Sequence, residues 1–314
     1  RADDPFTVGM ERLARSFTLP WRFLPRNASD VVLEGFRQGN VLLDVLFYDV
    51  GVVSREEALA LAPWKAAEGA ILIVPPSGGE PIVVCPSLDD YVAKGGEAIT
   101  TLTVAGVGSS ALGTAAFARN VADAVGRPVA AVISGYGLAD LATEAAGGFS
   151  WFAGLAAVHG FWERVDQSVD WLRNTAGSTL GGPAPEQHGD RDAETVQALL
   201  SDDRLHFDLI VAHSKGNIVV GDALHALQRT DRVRSDRIGE TVHIVSISSR
   251  LRMPRSCRQV TEIVGRWDLI GDFATRRDAP PDVVVPDAWH HTNTELYGHI
   301  PVTRVLKEVL ASGS

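Results

Sequence analysis

Short apolar runs bounded by turn residues dominate the chain from residue 69 onward. Runs rich in valine, isoleucine and leucine predict strands where glycine, proline or polar residues flank them. Eight such runs occur, at 71–74, 82–85, 99–105, 129–134, 207–212, 242–246, 260–264 and 283–285. Most of them are apolar at successive positions, which is typical of strands that are covered on both faces.

Segments of helical periodicity lie between the predicted strands. Helices are predicted over 112–125 and 192–200, in the segment that follows Ser214, and over 304–310. Strands that alternate with helices indicate an α/β fold, here a mostly parallel sheet of about eight strands between helices. Such sheets bind ligands beyond the carboxyl ends of their strands, so functional residues are expected there.

Residues 1–65 show a weaker pattern. Apolar spacing near the N-terminus favours a short amphipathic helix. The sequence Ser54-Arg55-Glu56-Glu57 is typical of a helix start, with a serine cap and acidic first-turn residues. We expect a helical extension over 1–65 that packs on a single α/β domain over 66–314.

Ala212-His213-Ser214-Lys215-Gly216 stands where the fifth predicted strand gives way to a helix. A sharp strand-to-helix turn lifts one side chain clear of the sheet, and small residues on either side let strand and helix approach. Gly216 and Ala212 meet that requirement. The helix start beneath Ser214 also favours a developing negative charge. A serine that only caps the helix is the alternative interpretation.

With this motif the chain resembles the α/β-hydrolase family, which includes lipases and esterases that carry Ala-x-Ser-x-Gly. The resemblance covers roughly residues 69–314 and rests on motif and order, without close identity. It implies that Ser214 is a nucleophile, followed along the chain by an acid after the next-to-last strand and a histidine after the last. It implies no metal or organic cofactor.

The implied acid lies in the turn after the strand predicted over 260–264. Gly265-Arg266-Trp267-Asp268 looks like the family's Gly-x-x-Asp turn, so Asp268 is the expected acid. A buried carboxylate there would accept the histidine Nδ1 proton and stabilise the imidazolium that forms in the reaction. Asp272 is the alternative, and either residue read alone is also compatible with a solvated loop aspartate.

The implied base lies after the last predicted strand, in Asp287-Ala288-Trp289-His290-His291. The family places its general base a few residues beyond this strand. The alignment with the family's turn favours His290, and His291 is kept as an alternative. His299 is a third candidate, although it is expected to pack against the final helix instead.

Acyl transfer also needs two N–H donors for the oxygen of the tetrahedral intermediate. The amide of Lys215, which follows the nucleophile, is the first. Ala105-Gly106-Val107-Gly108-Ser109 resembles the family's His-Gly-x-Gly loop, so the amide of Val107 is the expected second donor, with Gly108 adjacent. A phosphate-binding loop is the rival interpretation, but the Gly-Lys-Ser/Thr of a P-loop and a full Gly-x-Gly-x-x-Gly are missing from this loop.

The connection between the fourth and fifth strands is longer than a crossover helix requires. Beyond the helix predicted over 192–200, it leaves residues 138–189, which are rich in large apolar side chains and end near Gly181-Gly182-Pro183-Ala184-Pro185. We hypothesise that 138–189 is a helical insertion that forms a lid and lines an acyl pocket. Extra core helices packed on the sheet edge are the alternative.

Composition narrows the choice of partners. The chain has 29 Lys and Arg against 39 Asp and Glu, a net charge of −10, and no sustained basic run. That balance argues against nucleic acid or an anionic membrane surface as the main partner. No apolar stretch approaches the roughly 20 residues that a membrane-spanning helix needs. We expect a cytoplasmic protein without a transmembrane segment.

These features predict a lipase- or esterase-like serine hydrolase that cleaves carboxylic esters through an acyl-enzyme. The apolar segment 138–189 favours a small-molecule or lipid-like ester substrate with an apolar acyl group. Polyester (hydroxyalkanoate) depolymerase and thioesterase activities are alternatives. An inactive hydrolase-fold binding protein is an alternative of another class, disfavoured because nucleophile, acid and histidine are all present.

Overall fold

The computed structural model describes residues 44, 47–64, 68–106, 109–134, 191–250, 253–268 and 280–312. The strands of these ranges are β1 (Ile71–Val74), β2 (Val83–Cys85), β3 (Thr101–Val104), β4 (Val129–Val132), β5 (Leu209–His213), β6 (His243–Ile247), β7 (Gln259–Gly265) and β8 (Val283–Val285). They form one sheet in the order β2-β1-β4-β3-β5-β6-β7-β8.

The sheet is mostly parallel. β1 runs antiparallel to both of its neighbours, β2 and β4, and every other neighbouring pair is parallel. The predicted α/β class, with a mostly parallel sheet of about eight strands, is thereby confirmed. Because β3 and β5 to β8 run in the same direction, their carboxyl ends open on the same edge of the sheet.

Helices cover both faces of the sheet. Within the described ranges they are α1 (Arg55–Leu61), α2 (Leu88–Ala93), α3 (Ala111–Val125), α4 (Arg191–Ser201), α5 (Gly216–Thr230), α6 (Arg232–Thr241) and α7 (Val302–Ser312). Apolar side chains of α1, α3 and α7 pack on one face, and those of α2, α4, α5 and α6 pack on the other.

Alternate residues of the central strand β5 supply the two cores. Leu209 and Val211 point to the core with α3 and α7, whereas Ile210 and Ala212 point to the core with α4 and α5. All four are buried. Covering on both faces is the physical reason why the strands appear in the sequence as continuous apolar runs.

The structure departs from the predicted elements in two helices. α2 and α6 were not predicted, and α6 is mostly polar, with Ile238 as its one buried apolar side chain. Its start is set locally instead, because the side chain of Asp231 accepts a hydrogen bond from the backbone N–H of Arg234. A helix with one buried apolar position produces no period that a sequence pattern reveals.

Part of the predicted N-terminal extension packs on the sheet. Ser54 caps the start of α1 in a capping box that Glu57 completes, and Leu61 is buried in the core beside α3. Residues 1–43 and the hypothesised lid over 138–189 lie outside the described residues. In the part of the chain that is described, no helix is both long and apolar enough to cross a bilayer.

Candidate active site

The turns after β5, β6 and β7 are each hydrogen-bonded to the neighbouring strand. The backbone N–H of Ser214 donates to the carbonyl of Ile247 at the end of β6, at 2.9 Å. The N–H of Ser248 donates in turn to Ile263 of β7, and that of Arg266 donates to Val285 of β8, each also at 2.9 Å. Successive strand ends are therefore fixed to one another, and the side chains that follow them converge.

Ser214 adopts a strained backbone conformation in the turn between β5 and α5. Its φ is +50°, in the left-handed region that non-glycine residues rarely enter. The side-chain amide of Asn217 holds this turn by donating to the carbonyls of Ser214 and Ile247, at 3.1 and 3.2 Å. The turn is sharp, and Ser214 remains partly accessible at its tip.

Two glycines allow the neighbouring backbones to approach this turn. A Cβ atom on Gly216 would lie 2.3 Å from the carbonyl oxygen of Val104 and 2.6 Å from that of Ala105. A Cβ atom on Gly106 would lie 2.9 Å from the Cβ of Ser214. The requirement for small residues therefore arises where α5 and Ser214 meet the end of β3.

Ser214, His290 and Asp268, hereafter the triad, form a continuous line of hydrogen bonds. The Nε2 atom of His290 lies 2.8 Å from Ser214 Oγ, and its Nδ1 atom lies 2.9 Å and 3.0 Å from the two carboxylate oxygens of Asp268. The side chain of Asp268 is fully buried. An ionised carboxylate only accepts, so a neutral imidazole in this position carries its proton on Nδ1 and leaves Nε2 to accept the serine proton.

The turn that carries Asp268 is fastened to the loop after β8. The N–H of Trp267 donates to the carbonyl of Ala288 at 2.9 Å, and that of Asp268 donates to Gly265 at 3.0 Å. A Cβ atom on Gly265 would lie 2.4 Å from the carbonyl oxygen of Ala288. Glycine at this position thus allows the acid turn and the histidine loop to lie against each other.

Side chains at the ends of β5 and β6 contact the backbone carbonyl of His290. Its carbonyl oxygen lies 2.9 Å from Nε2 of His213 and accepts a hydrogen bond from Ser248 Oγ at 3.1 Å. Ser248, like Ser214, has a positive φ, +54°. The ring of His290 also packs edge-on against Phe47, with ring centroids 6.1 Å apart.

His213 is buried beside the triad and remains uncharged. Burial lowers its pKa to about 3, and the proximity of His290 adds to this effect. Its Nδ1 atom lies 3.1 Å from the hydroxyl of Tyr48, which also accepts the backbone N–H of Gly106 at 2.6 Å. A side chain from the N-terminal extension therefore reaches the same site.

The other site residues predicted from the sequence do not all lie at the triad. The contact with Ser214 is made by His290, whereas the ring of His291 is buried, and burial lowers its pKa to about 3. Lys215 has a helical backbone and directly precedes α5, so its amide belongs to a helix start. Val107, Gly108 and Asp272 lie outside the described residues. His299 is half-buried, and its Nδ1 lies 2.8 Å from the carbonyl of Leu296.

The site also contains three residues that were not predicted from the sequence, namely Tyr48, His213 and Ser248. Position alone was a signal for His213, which immediately precedes the serine at the end of β5. Ser248 likewise follows the end of β6, where functional residues are expected. Tyr48 gave no signal, because it belongs to a region without a regular pattern.

The arrangement is capable of nucleophilic chemistry. A serine hydroxyl, an imidazole and a buried carboxylate in hydrogen-bonding order are the components that activate serine toward an acyl carbon. Within the described ranges, no group of three or more His, Cys, Asp or Glu side chains is arranged to bind a metal ion. Comparisons with protein-family models, curated proteins and solved structures found no match to the chain.

Proposed function

We propose that this protein is a serine hydrolase of the α/β-hydrolase fold that cleaves carboxylic esters through an acyl-enzyme. The observation that carries the proposal is the hydrogen-bonded order of Ser214, His290 and Asp268 at the carboxyl ends of the parallel strands. The strained turn at Ser214 and its place before α5 support the same interpretation.

In the proposed reaction, Ser214 Oγ attacks the carbonyl carbon of the ester while its proton passes to Nε2 of His290. Asp268 stabilises the imidazolium that forms. The tetrahedral intermediate then loses its alkoxide, which takes the proton from Nε2, and the acyl group stays on Ser214. A water molecule attacks the acyl-enzyme with His290 again as base, which releases the carboxylic acid and restores the serine.

The oxyanion of each tetrahedral intermediate needs donors that are fixed in advance. The amide of Lys215, at the start of α5, is the first proposed donor, and the partial positive charge of the helix start adds to its effect. The amide of Val107, next to the anchored Gly106, is the second. Each such donor contributes about 3 kcal/mol to transition-state stabilisation.

The acyl-group preference rests on segment 138–189 and its large apolar side chains. We propose that this segment is a lid over Ser214 and that it favours apolar acyl groups. Thioesterase and polyester (hydroxyalkanoate) depolymerase activities use the same acyl-enzyme chemistry and differ in leaving group. A binding protein on the same fold would turn over none of these substrates.

The test is hydrolysis of p-nitrophenyl esters from two to sixteen carbons by the wild-type protein, Ser214→Ala and Ser201→Ala. Ser201 closes α4, and its hydroxyl donates to Gln197, away from the triad. We expect turnover by wild type and Ser201→Ala and none above background by Ser214→Ala. A wild-type protein that hydrolyses none of these esters would contradict the proposed ester hydrolysis and favour the binding protein.

A further inference from the structure

A buried chain of hydrogen bonds beside the triad has no part in the proposed chemistry. It runs from the N–H of Gly106 to Tyr48 Oη, from Tyr48 Oη to His213 Nδ1, and from His213 Nε2 to the carbonyl of His290, at 2.6, 3.1 and 2.9 Å. Tyr48 and His213 are each 1% exposed. It joins the loop after β3 to the loop after β8 through two side chains.

Each proton in this chain has one consistent position. A backbone carbonyl only accepts, so His213 carries a proton on Nε2 and donates it to His290. Burial lowers the pKa of His213 to about 3, so at neutral pH its Nδ1 bears a lone pair. The Tyr48 hydroxyl must then donate to Nδ1 while its oxygen accepts from Gly106. The chain is therefore directional, from Gly106 to His290.

We propose that Tyr48 and His213 are positioning residues, together a relay that fixes the backbones of His290 and Gly106 relative to Ser214. The inference rests on the proposed function, since the positions it fixes matter for a serine nucleophile and its oxyanion. Among the described residues, the hydrogen bonds of these two side chains lead to the backbones of Gly106 and His290. Their effect is exerted through the residues to which they are bonded.

At the His290 end, the relay fixes the backbone from which the imidazole ring of His290 projects. The carbonyl of His290 accepts from His213 and from Ser248, and the ring of the same residue must meet Ser214 Oγ at 2.8 Å. Loss of the His213 bond leaves one of these two anchors. A misplacement of about 1 Å in such a geometry costs on the order of 100-fold in rate.

At the Gly106 end, the relay anchors the loop from which the second oxyanion donor is proposed. The N–H of Gly106 is bonded to Tyr48, and its carbonyl accepts from the hydroxyl of Ser109 at 2.8 Å. Gly106, the residue that directly precedes Val107, is therefore anchored at both its N–H and its carbonyl. Removal of the Tyr48 hydroxyl would free one side of this turn and leave a buried amide without its acceptor.

The His213 ring of the relay must also stay uncharged, and the rings packed around it favour the neutral form. The ring of His213 lies among those of Tyr48, Phe117 and His290, with centroids 5.5, 5.8 and 5.3 Å away. A cationic ring there would repel the imidazolium that forms on His290 during the reaction. A neutral donor fixes His290 without opposing that charge.

The test compares Tyr48→Phe, His213→Phe and His213→Gln with wild type in steady-state ester hydrolysis. Phenylalanine at 213 retains a ring but loses both hydrogen bonds, whereas the glutamine amide can still donate to His290. We expect kcat to fall about 10-fold in Tyr48→Phe and about 100-fold in His213→Phe, with KM within about twofold. His213→Gln should retain kcat within about threefold.

Two controls test whether similar substitutions away from the triad also lower kcat. Tyr91 in α2 is buried, and its hydroxyl has no hydrogen-bond partner among the described residues. His243 begins β6, at the opposite end of the strand from the triad. Tyr91→Phe and His243→Gln should leave kcat unchanged. The relay would be overturned if kcat fell as much in the controls as in Tyr48→Phe and His213→Phe. It would also be overturned if His213→Phe kept the kcat of wild type.

A second measurement needs neither activity nor a folded variant. Histidine ¹⁵N resonances of the wild-type protein report which ring nitrogen carries the proton, and we expect His213 as the Nε2–H tautomer at pH 7. A protonated Nδ1 on a neutral His213 would overturn the relay. If the tautomer is as expected but the wild-type protein hydrolyses no ester, the proposed function fails instead.

Discussion

Both carboxylate oxygens of Asp268 lie within hydrogen-bonding distance of one atom of His290, Nδ1, at 2.9 and 3.0 Å. The side chain of Asp268 is fully buried, and the turn that carries it is bonded to the loop that carries His290. The tautomer and the orientation of the imidazole are thus fixed before any substrate binds. In the proposed function, this is how the acid contributes.

Asp268→Asn should lower kcat for a p-nitrophenyl ester by about 1,000- to 10,000-fold, because an amide no longer stabilises the imidazolium or selects its tautomer. Asp287→Asn is the matched control. Asp287 is exposed in the loop after β8 and has a φ of +57°, which asparagine tolerates. Its kcat should equal that of wild type. More than a tenth of wild-type turnover in Asp268→Asn would contradict this role.

The two adjacent histidines should respond differently to the same substitution. His290→Gln should abolish turnover, because the side chain that contacts Ser214 Oγ is lost. His291→Gln should keep most of the turnover and lower the free energy of unfolding by about 1–3 kcal/mol, since it replaces a fully buried ring. Steady-state kinetics and urea denaturation measure both effects. The reverse pattern would make His291 the base.

The close approach between α5 and β3 predicts a position-specific effect of one methyl group. Gly216→Ala would press its Cβ against the backbone oxygens of Val104 and Ala105, so we expect a loss of about 1–3 kcal/mol in the free energy of unfolding. Gly221→Ala in the same helix meets only Met253 Sδ, at 3.9 Å. It should stabilise by about 0.5–1 kcal/mol, because alanine favours helix over glycine.

Urea denaturation of the two variants measures this difference. Equal stability of Gly216→Ala and Gly221→Ala would show that the approach is looser than the structure indicates. Ester turnover by Gly216→Ala should also fall, because Ser214 and the Lys215 amide move with the start of α5.

Two buried histidines make stability depend on pH in a defined window. Burial lowers the pKa of both His213 and His291 from 6.5 to about 3. Between these pH values the unfolded chain binds more protons at the two positions than the folded chain does. The free energy of unfolding therefore decreases as pH falls below 6.5, and this penalty is absent well above that pH.

His213→Gln removes one of the two contributions, which isolates it from the other groups that titrate. Between pH 7 and pH 5, the free energy of unfolding should fall by about 2 kcal/mol more in wild type than in this variant. Urea denaturation at the two pH values gives the comparison. An identical pH dependence in both proteins would mean that His213 is protonated in the folded state near its ordinary pKa.

Strands such as β1 were predictable because they are covered on both faces, so that the short apolar run 71–74 coincides with the observed strand. The run 283–285 also coincides with β8, although Val284 of this edge strand is exposed. The order of the strands within the sheet could not be predicted. β1 pairs with β4 and β2, and no local pattern in the sequence encodes which strands become neighbours.

The positions around Ser214 were predictable where they depend on local geometry. Gly216 is small because backbone oxygens lie where its side chain would be. The contacts of His213 depend instead on residues 165 and 77 positions away, Tyr48 and His290. Such contacts follow from the assembled fold, and residue type alone does not indicate them.

The measurement that tests the central claim most directly is covalent labelling with a fluorophosphonate, read by intact mass and peptide mapping. Such reagents phosphonylate a serine that a neighbouring base activates. We expect one adduct per wild-type chain, located on Ser214, and none on Ser214→Ala or His290→Gln. An unlabelled wild-type protein, or an adduct on another residue, would contradict an activated nucleophile at this turn.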